Sequence, residues 1–450
     1  MVDRSARGLL APSRACLVAL AALGASLLGS ADGAPWTVTL SGIHGIDPGA
    51  FVGVSELSGV AYAGPTQGGA HRFLAVSDGA GVLTSLDVTF SATGAITSAA
   101  AAATLTLGVN RDFEGVALVP GAPDRVYLSE EGTPAVRAYD LTTGAEVQSL
   151  STPAVFATRR GNRGFESLAA SPGGGALWTA NEDALTADGP ATTTSAGSVV
   201  RLLRYDRSGA TYAPAQQYAY PLDAIHAAPL FGQPQAGLSD LVVLPDGALV
   251  AMERSFAATL SVSYRHRLYL VDASTATDVG TGLPASGLIG NAYAPVTKTL
   301  LWSGTVNGSS GQNLEGLTLG PQLADGSWVL LGVVDDSSGG DPFSTLSVVS
   351  FVATAPTPTT PGDYNGDGAV DARDLDAWRA SYGNLSPAGL GADGNGDGQV
   401  NAADYTVWRD APASPAPVGP ASVPEPSALW LAGVGLCLSA IARKSGWLGK

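Results

Sequence analysis

Between residues 36 and 353, short apolar runs alternate with polar and glycine-containing turns, a pattern that predicts β-strands rather than helices. Five segments of this region resemble one another, and each begins with an apolar strand followed by a turn and a second apolar strand. They begin at residues 57–61, 113–117, 165–169, 238–242 and 314–318. Third and fourth strands are visible in places, as at 135–140 and 267–272.

Repeats spaced by roughly 50 to 75 residues, each of about four strands, predict an all-β fold, a β-propeller of five to seven blades. The wider spacings between residues 170 and 310 leave room for a sixth blade or for insertions. A β-sandwich of similar strand content is the alternative fold.

Acidic residues recur at fixed places in these repeats, at the start of the first strand and at the end of the second. Because inner strands line the channel of a propeller, we expect equivalent positions to converge on one mouth. The predicted ring comprises Glu114, Glu130, Glu166, Glu182, Asp240, Glu253, Glu315 and Asp335. Such carboxylates repel one another unless cations lie among them, and calcium suits oxygen ligands without histidine or cysteine. Turn residues on solvated rims are the alternative interpretation.

Several motifs resemble the phytase-like family, which is also labelled "esterase-like activity of phytase". They are Phe-Glu-Gly-Val-Ala-Leu at 113–118, its echoes at 164–168 and 313–317, and Ser-Glu-Glu-Gly at 129–132. The resemblance extends over most of residues 51–352 and implies a calcium-dependent propeller related to phosphoesterases.

In the phytase-like interpretation, calcium activates a water molecule and screens the phosphate, while arginines hold the phosphate oxygens. The residues to which this interpretation gives catalytic roles are Glu114, Glu166, Glu315, Arg163 and Arg254. Arg111, Arg159 and Arg160 are further phosphate-binding candidates. The alternative for these arginines is an ordinary ion pair at the surface.

Two 12-residue loops, at 363–374 and 393–404, have calcium-ligand spacing, with oxygen side chains at positions 1, 3, 5, 9 and 12 and glycine at position 6. The backbone carbonyl of position 7 is the remaining ligand, and Gly368 and Gly398 permit the sharp turn. The predicted ligands are Asp363, Asn365, Asp367, Ala369, Asp371 and Asp374 in the first loop, and Asp393, Asn395, Asp397, Gln399, Asn401 and Asp404 in the second.

Aspartate at position 12 and a single helix after each loop resemble type I dockerins. That resemblance implies a cohesin-like partner, although the second helix is limited by Pro412. A calcium-stabilised spacer is equally consistent with the sequence. Segments rich in proline, threonine and alanine flank the module, at 354–362 and 411–422, and predict semi-rigid linkers around residues 363–410.

Both ends of the chain predict export. Residues 1–31 combine arginines, an apolar run and small residues, as in a cleavable signal peptide, for which an uncut membrane anchor is the alternative. Residues 423–450 contain Pro-Glu-Pro, an apolar stretch and a basic end. This order resembles the PEP-CTERM sorting signal, which implies a transmembrane helix in the inner membrane before processing by an exosortase-type enzyme. An ordinary C-terminal anchor is the alternative.

The net charge of −16 argues against nucleic acid as a partner. No Gly-x-Ser-x-Gly motif is present, and the four histidines lack zinc-ligand spacing. Two functions remain. The first is an exported, envelope-associated calcium-dependent phosphoesterase acting on a small phosphate ester. The second is a non-catalytic calcium-binding propeller that binds exopolysaccharide or protein at the cell surface. An arrangement of arginines around the acidic mouth would favour the first.

Overall fold

The structure is a computed structural model that describes residues 36–356, 360–366, 369–384 and 391–411. The predicted signal peptide, the sorting signal with its transmembrane helix, and the linker beyond residue 411 lie outside these ranges. Asp367 and Gly368 of the first calcium loop also lie outside them.

Five four-stranded antiparallel sheets make up the part of the chain before residue 355. Strand β1 is Thr37–Gly45. Blade 1 contains β2 (Leu57–Pro65), β3 (His71–Ser77), β4 (Val82–Phe90) and β5 (Ile96–Thr106). Blade 2 contains β6 (Phe113–Ala117), β7 (Arg125–Glu130), β8 (Ala135–Asp140) and β9 (Glu146–Ser149). Blade 3 contains β10 (Ala169–Ala170), β11 (Ala176–Ala180), β12 (Val199–Ser208) and β13 (Thr211–Pro221). Blade 4 contains β14 (Phe231–Val243), β15 (Leu249–Ala258), β16 (Val262–Asp272) and β17 (Thr297–Gly304).

Blade 5 closes the ring of sheets. It contains β18 (Leu314–Gln322), β19 (Trp328–Val334), β20 (Ser347–Thr354) and β1. Strand β1 pairs with β20 from Thr37 opposite Thr354 to Gly45 opposite Ser347. The first strand of the chain therefore completes the last blade, and backbone hydrogen bonds close the propeller.

The hydrophobic core lies between neighbouring blades. Successive strand residues face opposite sides of a sheet, so each blade contributes to two interfaces. Leu128 of β7 packs with Val76 of blade 1, whereas the adjacent Tyr127 packs with Phe165 of blade 3. Each such side chain contributes about 1.5–3 kcal/mol when fully buried.

The inner strands approach one another closely around the central axis, which explains the glycine of the Glu-Gly motif. A Cβ atom on Gly115 would lie 2.3 Å from the backbone nitrogen of Leu168. A Cβ atom on Gly316 would lie 2.4 Å from the carbonyl oxygen of Ser58. These two positions therefore have no room for a side chain.

The predicted all-β propeller is confirmed, with five blades in the described part of the chain. The wide spacings within 170–310 come from long strands in blades 3 and 4 and from two insertions. One insertion lies between β11 and β12, and a longer insertion lies between β16 and β17. That insertion packs against blade 3, where Val279 donates its N–H to the carbonyl of Gln217 at 2.8 Å. The guanidinium of buried Arg201 also donates to the carbonyl of Pro284 at 2.7 Å.

Two short helices follow the propeller, α1 (Ala372–Ser381) and α2 (Ala402–Asp410). Asp371 and Asn401 cap their first turns, each in a reciprocal capping box with the residue three positions later. Short 3-10 turns occur at Ala154–Thr158, Leu283–Ser286 and Ser337–Gly339. Within the described ranges, no helix has the length and apolar character needed to cross a membrane.

Candidate metal centre

Strand register brings two residues of each blade to one mouth of the channel. The residue at the start of each inner segment lies opposite a residue near the end of the second strand; for example, Phe113 pairs with Glu130 and Leu238 with Glu253. In each blade, the two residues that come directly after this pair in the sequence lie at the mouth, and over the five blades they form two sets. The first set, on the inner segments, is Ser58, Glu114, Glu166, Ser239 and Glu315. The second set, on or after the second strands, is Asp78, Glu131, Glu182, Arg254 and Asp335.

Five carboxylates of this mouth form two overlapping groups. One oxygen each of Asp78, Asp112 and Glu114 lies within 4.8 Å of the others. The same holds for Glu114, Glu131 and Glu166, and all three of these are buried. Glu114 belongs to both groups, so the two groups share one carboxylate.

The carboxylates strongly disfavour one another's ionisation. Burial, followed by Asp112, raises the pKa of Asp78 to about 8. Burial, followed by Glu182 and Asp112, raises the pKa of Glu131 to about 9. Burial is also the main reason that the pKa values of Glu114 and Glu166 lie well above their usual range. Without cations, the mouth therefore retains protons at neutral pH.

The donor set fits a hard divalent cation such as calcium. The ligand atoms of these five residues are all carboxylate oxygens, which calcium and magnesium prefer over the softer nitrogen and sulfur ligands. Oε2 of Glu166 is buried without a hydrogen-bond partner, a costly state that a bound cation would relieve. The Ser58 hydroxyl donates to Glu114 and so orients the shared carboxylate.

Arg254 lies inside the acidic mouth because blade 4 carries arginine where the other four blades carry an acid. Its guanidinium contacts Glu315, lies 3.1 Å from Glu182 and 3.7 Å from Glu166, and donates to Asn313 at 2.7 Å. Burial opposes the charged form, but these three carboxylates raise the pKa of Arg254 well above its usual range. Arg254 is therefore the internal counter-ion of the mouth.

Glu315 lies between Arg254 and blade 1. Burial raises the pKa of Glu315 to about 7, Arg254 lowers it, and Asp335 raises it again. Ser58 Oγ lies 3.3 Å from Glu315 Oε2. The structure therefore brings four of the five residues predicted to be catalytic, Glu114, Glu166, Glu315 and Arg254, into one connected cluster.

The remaining arginine candidates separate into two groups. Arg163 reaches the mouth, with its Nη1 atom 2.7 Å from Glu182 Oε2. Arg111 instead pairs with Glu130 and Glu146, neither of which belongs to the two carboxylate groups. Arg159 and Arg160 donate to backbone carbonyls, those of Gly132 for the first and of Ala184 and Gly189 for the second. These three arginines have structural partners.

Three members of the predicted acidic ring have other partners and do not lie in the carboxylate groups of the mouth. Glu130 forms an ion pair with Arg137 at 2.6 Å, and Glu253 forms one with Lys298 at 2.6 Å. Strand alternation is the reason: Glu130 and Glu253 face an interface between blades, whereas the residues after them reach the mouth. Asp240 accepts the backbone N–H groups of Leu241 and Leu317, an arrangement that joins blades 4 and 5.

The predicted site residues omitted Asp78, Asp112 and Glu131. Asp78 and Glu131 directly follow the second strands of their segments, but a repeat pattern does not specify which of two neighbouring acids faces the channel. Asp112 directly precedes an inner strand. Among the other four segments, only the first has an acid at this position, Glu56. The register of β6 with β7 is the information that the sequence lacked.

The two calcium-type loops end in fully buried carboxylates. Asp374 accepts the backbone N–H groups of Tyr364, Asn365 and Asp371, at 2.8, 3.1 and 2.7 Å. Asp404 accepts those of Asn395 and Asn401, at 3.1 and 2.7 Å. Position 12 of each loop thus connects the loop to its helix.

The first positions of the loops are buried in the same way. Asp363 and Asp393 are 1% and 0% exposed, and Asp393 accepts the N–H groups of Gly396, Asp397 and Gly398. The backbone of Gly398 has φ +84°, as a sharp turn at position 6 requires. The other predicted calcium ligands within the described ranges are Asn365, Ala369 and Asp371 in the first loop, and Asn395, Asp397, Gln399 and Asn401 in the second.

The two loop–helix units pack against each other through tryptophan. The indole N–H of Trp378 donates to the carbonyl of Asn401 at 2.9 Å, and that of Trp408 donates to the carbonyl of Asp371 at 2.8 Å. Each tryptophan therefore holds the N-cap residue of the other unit, around a small core with Tyr364.

Comparison with known proteins identifies the family of the propeller. The model of the phytase-like family, described as "Esterase-like activity of phytase", matches residues 52–337, well over half of the chain. The chain belongs to the phytase-like family. No curated protein sequence matches it.

The solved structures that match this chain share little sequence with it. A luciferin-regenerating enzyme is 13% identical, with 67% of this chain and 92% of that chain covered and a TM-score of 0.32. The PQQ-bound aldose sugar dehydrogenase from Streptomyces coelicolor is 13% identical, with 71% and 100% covered and a TM-score of 0.32. The PQQ domain of pyranose dehydrogenase from Coprinopsis cinerea is 11% identical, with 72% and 98% covered and a TM-score of 0.30.

Proposed function

We propose that the propeller is a calcium-dependent phosphoesterase whose active site is the acidic mouth. The observation that carries the proposal is the shared position of Glu114 in two carboxylate groups, beside the unpartnered Glu166 Oε2. Two cations held a few ångströms apart are a common arrangement for hydrolysis of phosphate esters. Family membership supports the same class of reaction.

The residues of the chain have distinct roles in this proposal. Asp78, Asp112, Glu114, Glu131 and Glu166 hold the cations. Bound calcium supplies a water of lowered pKa and neutralises charge on the phosphate.

Arg254 and Arg163 lie beside the carboxylate groups and orient the ester oxygens with their N–H groups. Glu315 holds a proton near neutral pH, because its pKa is about 7, and delivers it to the leaving oxygen.

The protein is also proposed to be exported and held at the cell envelope. Residues 1–31 act as the signal peptide, and residues 423–450 act as the PEP-CTERM signal that an exosortase-type enzyme processes. The helix of that signal anchors the protein in the inner membrane before processing.

The dockerin-like module at 363–410 binds two calcium ions and separates the propeller from the envelope. The buried carboxylates of Asp363, Asp374, Asp393 and Asp404 support calcium binding, because buried charges of this kind need a counter-charge. A cohesin-like protein or exopolysaccharide is the proposed partner.

The test is release of phosphate from p-nitrophenyl phosphate by the full chain, with calcium and with a chelator. We expect release that requires calcium and that Glu114→Gln and Glu166→Gln each abolish. Glu253→Gln is the matched control, because Glu253 is equally buried but lies outside the mouth. Absence of release, with calcium raising the melting temperature of the unmodified chain more than that of Glu114→Gln, would instead support the non-catalytic calcium-binding propeller.

A further inference from the structure

The strands of blade 4 extend beyond the mouth and form a wall whose aromatic side chains have no role in holding cations. Gly237 of β14 lies opposite Arg254 of β15, yet β14 begins at Phe231 and β15 continues to Ala258. At about 3.3 Å per residue, these strands extend beyond Arg254 by more than 10 Å. Strand β16 follows them, because Val262 pairs with Ala258.

Two aromatic residues lie on this wall next to Arg254. Phe256 is two residues beyond Arg254 and therefore shares its face of the sheet, at a distance of roughly 7 Å along the strand. Tyr264 lies directly opposite Phe256 on β16. Their ring centroids are 5.0 Å apart, and both side chains are half-buried. The two rings form an apolar surface beside Arg254, the internal counter-ion of the mouth.

The loop of blade 5 fixes the position of this aromatic pair. The Tyr264 hydroxyl donates to Oδ2 of Asp341 at 3.0 Å, and the same carboxylate oxygen accepts from the hydroxyl of Ser344. Above the pair, the tip of the wall leaves Leu260 and Phe231 95% and 70% exposed. Exposed apolar residues therefore lie at the tip of the wall, beyond the aromatic pair.

The charge of the mouth limits which substrates can approach it. Eight carboxylates face two arginines, and two divalent cations would not balance them formally. The carboxylates are Asp78, Asp112, Glu114, Glu131, Glu166, Glu182, Glu315 and Asp335. Arg254 and Arg163 are both already paired with carboxylates. The remaining negative charge would repel a substrate with many phosphate groups more strongly than a substrate with a single phosphate ester group.

We propose that the substrates of this site are phosphate monoesters with an apolar leaving group, aromatic or alkyl. The leaving group packs against Phe256 and Tyr264 while the phosphate group enters the acidic mouth. This inference rests on the proposed phosphoesterase function and adds the class of substrate. It names Phe256 and Tyr264 as residues that determine specificity.

The first test compares calcium-dependent hydrolysis of 1-naphthyl phosphate, glycerol phosphate and phytate by the full chain. We expect kcat/KM to be highest for 1-naphthyl phosphate and lowest for phytate. In Phe256→Ala, the ratio of kcat/KM for 1-naphthyl phosphate to that for glycerol phosphate should fall roughly 10-fold or more, through KM. Tyr264→Ala should lower the ratio in the same way, and Tyr264→Phe, which keeps the ring, should restore it.

Phe90→Ala is the matched control, because Phe90 is also half-buried and in contact with another aromatic ring but lies at the end of β4, remote from the mouth. The ratio should not change in that variant. Hydrolysis that depends on calcium but shows no preference for the naphthyl ester would overturn the substrate class and leave the phosphoesterase function intact.

A binding experiment separates the inference from the reaction itself. Calorimetry with calcium present would measure the affinity for phenylphosphonate and methylphosphonate, neither of which is an ester. Tighter binding of phenylphosphonate, lost in Phe256→Ala, supports the aromatic wall even if no substrate is hydrolysed. Equal affinities, or binding of neither compound, would overturn it.

Discussion

Arg254 and Glu182 occupy equivalent positions in adjacent blades and form an ion pair, with Arg254 Nη2 3.1 Å from Glu182 Oε1. Each follows the residue that lies opposite the start of the inner segment, Glu253 in blade 4 and Asn181 in blade 3. One substitution in a repeated pattern of acids thus supplies the positive charge on one side of the mouth. The two carboxylate groups that could hold a metal ion come from blades 1 to 3, and Glu166 of the second group lies 3.7 Å from Arg254.

Replacement of Arg254 by glutamine should destabilise the calcium-free protein. The change leaves Glu182, Glu166 and Glu315 without their shared partner, and removal of one member of a buried ion pair typically costs about 3–5 kcal/mol. Urea denaturation in chelator should show this loss in the free energy of unfolding, and calcium should reduce it. Arg125→Gln is the control, because Arg125 pairs with a largely exposed carboxylate and should change stability by less than about 1 kcal/mol.

The calcium-free protein should lose stability as the pH rises. The pKa values of Asp78 and Glu131 are about 8 and about 9 in the folded protein but near 4 in the unfolded chain. At pH values between about 4 and about 9, the folded state therefore binds more protons than the unfolded state, and the free energy of unfolding falls as the pH rises. We expect the melting temperature in chelator to fall by roughly 5 °C or more from pH 5 to pH 8.

Calcium should reverse this dependence, because it replaces the protons of the mouth. The stabilisation by calcium, measured as the difference in melting temperature with and without chelator, should therefore grow from pH 5 to pH 8. The double variant Asp78→Asn, Glu131→Gln should show a weaker pH dependence in chelator. A calcium-free protein that is more stable at pH 8 than at pH 5 would contradict the assignment of these raised pKa values.

The repeated Glu-Gly motif carried most of the information about the fold. Glycine is required at 115 and 316 because the inner strands leave no space for a side chain, and the acid before each glycine lies at the mouth of the channel. Both constraints act on neighbouring residues and therefore recur as a motif in the sequence. The number of blades did not follow from the repeat spacing, because insertions between β11 and β12 and between β16 and β17 lengthen two repeats without adding a blade. The packing of the second insertion on blade 3 through Arg201 depends on contacts between residues far apart in the chain.

The composition of the mouth was only partly predictable. The sequence indicated that acids recur at strand ends, but strand register decides that Glu131 rather than Glu130 reaches the channel. The aromatic wall was not predicted, because Phe256 and Tyr264 become neighbours only when β15 and β16 extend beyond the body of blade 4. Such features arise from strand length and pairing rather than from a motif.

Introduction of a side chain at Gly115 should destabilise the propeller. A Cβ atom there would lie 2.3 Å from the nitrogen of Leu168, so blades 2 and 3 would have to move apart. Gly115→Ala should reduce the free energy of unfolding by about 1–3 kcal/mol, as overpacking does elsewhere. Gly45→Ala is the control, because no atom lies within 4 Å of the corresponding Cβ position. Equal stability of the two variants would contradict the close approach of the inner strands.

Removal of one position-12 carboxylate should eliminate one calcium ion from the dockerin-like module. Asp374 is fully buried and joins its loop to α1, so Asp374→Asn should lose both a calcium ligand and the charge that completes the capping box. Calorimetric titration should show one fewer calcium ion bound than in the unmodified chain, and Asp404→Asn should have the same effect in the second loop. Asp376→Asn, at an exposed position of the same helix, should bind calcium as the unmodified chain does. Unchanged stoichiometry in Asp374→Asn and Asp404→Asn would show that these carboxylates serve only to cap the helices.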